Sequence, residues 1–302
     1  MKNVVVFANC QGSALAQTML ENEHFSSKYK WNRIPPVQSI TKNNVNDVLK
    51  KVSDADLFIY QPIIESPDRP KEMYSEFLKS QLKDNAIPIS FPSIYFDGYF
   101  PHLQGLSGLT SVLNFVHDYF IAYACAIGLS EDQLISIIET DDFYSRKLSV
   151  DLAERSILIL KNREIQQTID IRLSEFIRNN YKKNKLFNQF NHPKREVFQF
   201  LAESIFSKIN MEDCKIVSHG ESYLDTIIAP IYKSTYNNLS LTFDEDFNVY
   251  GRPGNYRLTQ REVVCEFFKF YRGTDLTQLK TIIIKNKPFV AELIESHIDD
   301  HL

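Results

Sequence analysis

The sequence predicts an α/β fold, with a small parallel sheet of about four strands at the N-terminus followed by a mostly helical region. Three observations carry this expectation. Short apolar runs rich in β-branched residues stand at 4–7 (VVVF), 56–60 (DLFIY) and 86–91 (AIPISF), with the length and composition of buried strands. Segments of helical spacing alternate with them through the first hundred residues. Beyond residue 105 the helical spacing takes over.

In chain order, the run 4–7 is the first strand, and Ala14, Leu15, Met19 and Leu20 recur at helical spacing just after it. Asn9-Cys10-Gln11-Gly12-Ser13 forms the tight turn between strand and helix. Residues 31–40 contain Pro35-Pro36 and read as a weak extended segment, an edge strand, where proline is tolerated. A helix over 45–52 leads to the strand 56–60, which ends at Gln61-Pro62. Residues 70–82 read as helical, with Pro70 suited to a first turn, and 86–91 is a further strand. This β-α-β-α-β-α-β order implies parallel pairing through right-handed crossovers. The ends of three strands then face one crevice, which receives Cys10, Gln61 and the segment after Phe91. Helices are expected over 109–129, 131–140, 149–180 (one long helix or a broken pair) and 194–209. The lysine-rich stretch 181–185 reads as an exposed linker, 223–236 and 260–271 as helices, and 243–256 as polar loops. The expected division is a crevice-bearing α/β domain over 1–105 and a mainly helical region over 106–302 that packs on it and completes the site.

The chain has 302 residues and a net charge of −4, ample length for a core and no general excess of basic charge, which argues against a nucleic-acid binder. Its four cysteines, Cys10, Cys125, Cys214 and Cys265, are widely separated and form no C-x-x-C, so neither a zinc site nor a disulfide framework is suggested. Seven histidines without ligand spacing give no expected metal site. The apolar run after Lys2 is too short for a signal peptide and no stretch is long enough for a membrane span. A cytoplasmic protein is expected, working near the inner membrane face if it handles glycans. G-x-G-x-x-G and G-x-x-x-x-G-K-[ST] are both missing, which lowers the prospect of a dinucleotide or ATP enzyme.

Cys10 leaves the first strand at the position where open α/β sheets place their chemistry. A helix N-terminus favours a thiolate, so the turn is expected to activate as well as place the thiol. A lone cysteine more often packs as a small hydrophobe. The neighbouring Asn9, Gln11 and Ser13 are poor core residues and favour a polar site.

The strand followed by NCQG (9–12), QPI (61–63), PSIYFDGYFPH (92–102) and FNHP (190–193), in this order and spacing, resembles the WcbI-type polysaccharide biosynthesis proteins. The likeness covers about the first two-thirds of the chain. Ala8 stands where that family is expected to have glycine. The resemblance implies O-acetylation of capsular sugars from acetyl-coenzyme A, in a pocket like that of SGNH hydrolases, and a homodimer. It also raises His192 to the expected general base, with Pro193 restricting its backbone. His102 is the runner-up base. His117 reads as a helical residue, packed or exposed rather than catalytic, His219 lies in a turn, and His24, His297 and His301 read as solvent-facing. Gln61 is expected to donate to the oxyanion beside the amides of Cys10 or Gln11, or else to satisfy backbone groups next to Pro62. Asn9, Gln11, Gly12 and Ser13 either contact the ligand or brace the turn. Tyr95, Asp97 and Tyr99 are expected to meet a sugar or an adenine, though loop aromatics are also common core plugs. Asn191, Lys194 and Arg195 are placed beside coenzyme A, the two cations near its phosphates at a helix N-terminus, with Arg146 and Lys147 as further candidates. The acceptor is expected to be a glycan or sugar nucleotide. Two rival readings use the same residues: an SGNH-like thiol or ester hydrolase, and a non-catalytic carbohydrate-binding protein.

Overall fold

The computed structural model of the chain describes residues 1–65, 70–106, 109–216, 223–224, 227–252 and 256–301. These fall into two compact units. One comprises Met1–Tyr95, Ile157–Asn179 and His192–Leu224, the other Phe96–Ser156, Asn180–Asn191 and Asp225–Leu302. These units do not follow the expected division at 105/106: two later segments group with the sheet, which as a parallel sheet needs cover on both faces.

In the first unit, β1 (Lys2–Phe7), β2 (Tyr29–Trp31), β3 (Leu57–Tyr60) and β4 (Ile87–Ser90) form one parallel sheet in the order β2-β1-β3-β4. Phe7 stands opposite Tyr60, and Tyr60 opposite Ser90. Side chains alternate between the two faces. Val5, Phe7, Phe58 and Tyr60 pack against Val48 and Val52 of α3 (Val45–Ser53) and Leu78 of α4 (Ser75–Ser80). On the other face β1 meets α1 (Gln11–Leu20), which also contacts the short α2 (Glu23–Lys28), and the helix Arg195–Lys208 packs on α1. Gly12 permits that approach, since a Cβ there would lie 2.9 Å from Ala8 Cβ and 3.2 Å from Val6 Cγ1. The strand order reverses between β1 and β3, so the topological switch point lies where the turn after Phe7 meets Gln61.

Several elements differ from expectation for local reasons. β2 stops at Trp31, before the prolines, which lead into a 3-10 turn at Val37–Ser39. The stretch 70–82 splits into a 3-10 turn, Lys71–Met73, and α4, with Tyr74 extended between them. The stretch 149–180 is the broken pair, with helices at Arg146–Gln166 and Ser174–Asn180. Thr168 turns the chain at φ 50°. The buried Glu164 carboxylate then accepts from the Leu173 and Ser174 amides at 2.6 and 2.9 Å, capping the second helix with a side chain of the first.

In the second unit, the helix expected over 109–129 begins only at Tyr119. Ahead of it, Leu103–Gly105 and Val116–Asp118 pair antiparallel, and Asp118 Oδ1 accepts from the Phe120 and Ile121 amides. The helix Tyr119–Ala126 is buried on nearly every side, against Gln260–Tyr271, Leu276–Asn286 and Pro288–His301. The last two of these helices had no counterpart in the sequence reading. The polar loops expected over 243–256 contain the antiparallel strands Val249–Arg252 and Tyr256–Thr259. The helix expected over 223–236 reduces to Lys233–Leu239, because Ile228 bridges to Gly251 instead. The supposed linker 181–185 is tied in: Tyr181 is buried and Lys185 Nζ lies 2.6 Å from Glu245.

Candidate functional site

The turn after β1 is braced from the segments that follow β3 and β4. The Asn9 amide donates to Gln61 Oε1 (3.0 Å), and Gln61 Nε2 donates to Gln11 Oε1 (2.9 Å) and to the Pro92 carbonyl (3.4 Å). Gln11 Oε1 also accepts from the Ile94 amide (3.1 Å), while its Nε2 donates to the Ile94 carbonyl (2.7 Å). Gln11 thus pairs with Ile94 as a neighbouring strand would. Both amides are buried and committed. Of the alternatives each residue offered, these contacts are those of a brace. The hydrogens of Gln61 are spent on the turn rather than offered to an oxyanion, and Gln11 is a brace rather than a ligand contact. Gly12 is likewise a packing residue of the β1–α1 contact.

What remains open at the turn is Asn9, Cys10 and Ser13, all half-buried. Asn9 Oδ1 accepts from the Gln11 amide (2.9 Å), so its Nδ2 faces away from that bond with both hydrogens to give. Cys10 is the N-cap of α1, at φ −53° and ψ −25°. Burial raises its thiol above the ordinary range, and the amides of Cys10 and Gln11 pull it back only in part. Cys10 thus rests as a thiol rather than as the helix-favoured thiolate expected. At 100° per residue, Cys10, Ser13, Gln17 and Glu21 lie along one face of α1, and each is partly exposed.

His192 is buried, 6 % exposed, and burial pushes it down to about 4, against a hydrogen bond to the Leu224 backbone. It is a neutral imidazole at neutral pH with one ring nitrogen fixed by that bond. Three residues on, Arg195 opens its helix with the guanidinium paired to Glu21, and Tyr223 donates to the same carboxylate at 3.0 Å. Arg195 is thus balanced by Glu21 rather than a free phosphate clamp, although its buried Nε has no partner among the described residues. Lys194, half-buried, is the N-cap of that helix. Tyr95 is 36 % exposed beneath the Arg163 guanidinium, 5.7 Å from the ring centroid, and Arg163 Nη1 donates to the Ser93 carbonyl at 2.7 Å. Arg163 escaped the sequence reading because it sits among many charges of one long helix.

Asp97, Tyr99 and Asn191 belong to the second unit. Tyr99 is fully buried, donates to the Asn184 carbonyl (3.0 Å) and to that of Tyr181, and stands edge-on to Phe96, Phe100 and Phe243. It is a core plug, not a ligand contact. Asp97, about half exposed, is pushed up by burial and pulled down by Lys287 and Arg155. Asn191 is half-buried. The runner-up base, His102, is sealed in the core. It stacks 4.2 Å from the Tyr232 ring, and its Nε2 lies 3.6 Å from Asp118 Oδ2, which also accepts from the Tyr232 hydroxyl at 2.9 Å. His117 is buried against the Tyr271 hydroxyl (2.8 Å), and His219 lies outside the described residues. Among the described residues no cluster of His, Cys, Asp or Glu is arranged to hold a metal, and no helix is long and apolar enough to cross a membrane.

These arrangements can be set beside known proteins. No curated protein sequence matches the chain. A solved structure, described as structural insights into WcbI, a novel polysaccharide biosynthesis enzyme, native protein without a disulfide bond between coenzyme A and one of its cysteines, matches with a TM-score of 0.86. The likeness extends over 97 % of this chain and 98 % of that one at 19 % sequence identity, which establishes the shared fold. The family model of the polysaccharide biosynthesis enzyme WcbI matches residues 3–214, the stretch that supplies the whole sheet, the Cys10 turn and His192. The chain therefore belongs to the WcbI family of polysaccharide biosynthesis enzymes.

Proposed function

We propose that the chain is a coenzyme A-dependent acyltransferase that moves an acetyl group to a sugar hydroxyl of a glycan. The observation that carries this reading is the half-exposed Cys10 thiol at the switch point, beside the uncommitted Nδ2 of Asn9. Membership of a polysaccharide biosynthesis family supports it, as does the description of the WcbI structure, which names coenzyme A and a cysteine together in specifying a native protein without a disulfide between them.

In the covalent route, His192 accepts the Cys10 proton and the sulfur attacks the acetyl carbonyl of acetyl-coenzyme A. Asn9 Nδ2 and the Cys10 amide donate to the developing oxyanion, a role in which one donor contributes about 3 kcal/mol. The thioester bond to coenzyme A breaks, and the imidazolium returns its proton to the departing thiolate. The sugar hydroxyl then attacks the acetyl-cysteine, giving its proton to His192, and Cys10 leaves and is reprotonated. In the direct route the hydroxyl attacks bound acetyl-coenzyme A itself, and Cys10 only shapes the site. The exposed face of α1 runs from Cys10 to Glu21, which Arg195 engages; an elongated donor would lie along it with its thiol end at Cys10 and its phosphates at Lys194.

Titration calorimetry with coenzyme A, with ATP and NAD as controls, tests the donor. Selective binding is expected. Intact mass after incubation with acetyl-coenzyme A then reads whether Cys10 carries the acetyl group. An enzyme that ignores coenzyme A and rapidly cleaves simple aryl esters is a hydrolase instead.

A further inference from the structure

We infer that the first unit holds a second binding site, a cleft on the α4 side of the sheet that takes an uncharged sugar or an amino sugar. The cavity measures ≈ 650 Å³, within the range of small-molecule sites. Its walls are the end of β3, the first turn and a half of α4, and the turn that follows the helix Arg146–Gln166. Tyr60 and Pro62, both lining it, flank Gln61 in the chain, and Gln61 is the residue that braces the Cys10 turn.

The chemistry of the walls selects the occupant. Tyr60 and Tyr74 offer aromatic surface, and the side-chain amide of Gln167 offers both a donor and an acceptor. Asp170 is held rigidly: its Oδ2 accepts from the Ser90 amide (2.8 Å) and hydroxyl (2.7 Å), and its own amide donates to Ser90 Oγ (2.9 Å). Both side-chain bonds use Oδ2, which leaves Oδ1 to accept from a ligand hydroxyl. Fixed planar acceptors beside aromatic rings suit the hydroxyls and apolar faces of a pyranose. Charge favours the sugar over a nucleotide: among the described residues Glu65, Glu76 and Asp170 line the cleft with Lys79 as the one cation, already paired with Glu76 at 2.7 Å. A nucleoside diphosphate would meet net negative charge, whereas an ammonium or a neutral hydroxyl array would not. Calling this sugar the acceptor rests on the acyl-transfer reading; the binding itself does not.

The test is saturation-transfer NMR on the full chain with three probes: cellobiose, the glucosamine disaccharide and uridine diphosphate glucose. At least one disaccharide is expected to bind saturably at millimolar concentration, to weaken about tenfold in both Tyr74→Ala and Gln167→Ala, and to resist competition by the nucleotide sugar. Gln167→Ala changes a half-exposed turn residue and guards against a folding defect in Tyr74→Ala. The inference is overturned if neither disaccharide binds, if binding survives both substitutions, or if uridine diphosphate glucose binds as tightly. Coenzyme A titrations of the same proteins separate the two readings. In the parent chain, no sugar binding with coenzyme A binding intact removes the cleft alone, while sugar binding without coenzyme A binding removes acyl transfer and leaves the cleft standing; in the two variants coenzyme A binding is expected to stay intact.

Discussion

The two units treat the same residue types in opposite ways. In the first, Asn9, Cys10 and Ser13 sit at a strand end and stay half-open, held from behind by the buried amides of Gln11 and Gln61. In the second, His102, Asp118 and Tyr232 are bonded to one another in a closed core. Both arrangements satisfy their polar groups, as burial demands. Only the first leaves a nucleophile and a donor for something outside the protein. A histidine beside a carboxylate is thus not by itself a catalytic pair; what separates the two regions is whether the hydrogen bonds close on themselves.

Substitutions can break this contrast, and the largest effect is expected on activity in the first unit. Cys10→Ala should lower acetyl transfer by about 10³-fold or more if the route is covalent, with denaturant stability within about 1 kcal/mol of the parent. Full activity in that variant would leave only direct transfer. In the second unit the damage should fall on stability. Asp118→Ala strands two helix amides and the Tyr232 hydroxyl in the core and should cost about 3–5 kcal/mol in urea unfolding. A cost below about 1 kcal/mol would show that the network is not structural.

Acid sharpens the comparison further. His192 is pushed down to about 4 in the folded chain from an ordinary 6.5, so between those values the unfolded chain binds the proton and the folded one does not. Stability is lost as pH falls through that window, by up to about 3 kcal/mol, and His192→Asn should flatten that part of the profile. Asp118 runs the other way. Held up at about 6 by burial, it keeps a proton that the unfolded chain releases down to 3.8, so acidification adds stability there and offsets the depressed His102 of the same unit. A His192→Asn profile identical to the parent would place the acid sensitivity elsewhere. The smallest effect is expected at Gly12. Gly12→Ala should cost about 1–3 kcal/mol by overpacking against Ala8, and Ala8→Gly in the same chain should recover part of it.

Three of the four strands were legible in the sequence because each is a compact apolar run, and β1, β3, β4 and α3 fall within two residues of expectation; β2, Tyr29–Trp31, has no such run and was expected at 31–40 instead. The second unit was less legible. The run from Tyr119 is apolar on every side, so periodicity gives it no start, and Asp118, which caps it, looks like any surface acid in a string of letters. At the site, the position of Cys10 followed from the strand-turn-helix pattern alone. The distinction between Asn9, which is open, and Gln11 and Gln61, which are committed, did not, because it depends on Ile94 and Pro92, more than 30 residues from Gln61 and more than 80 from Gln11. Tyr99 and Arg195 were misplaced for the same reason: their partners Tyr181 and Glu21 are distant in the chain.

The pairing of Gln11 with Ile94 has a kinetic side. Ile94 belongs to no strand or helix, yet its amide is buried and bonded to a side chain that Gln61 in turn holds. Its hydrogen should therefore exchange with solvent as slowly as those of β1, since releasing it means opening the whole Cys10 turn. A loop amide with the protection of a central strand would make Ile94 a built-in clock for the integrity of the site, readable without substrate.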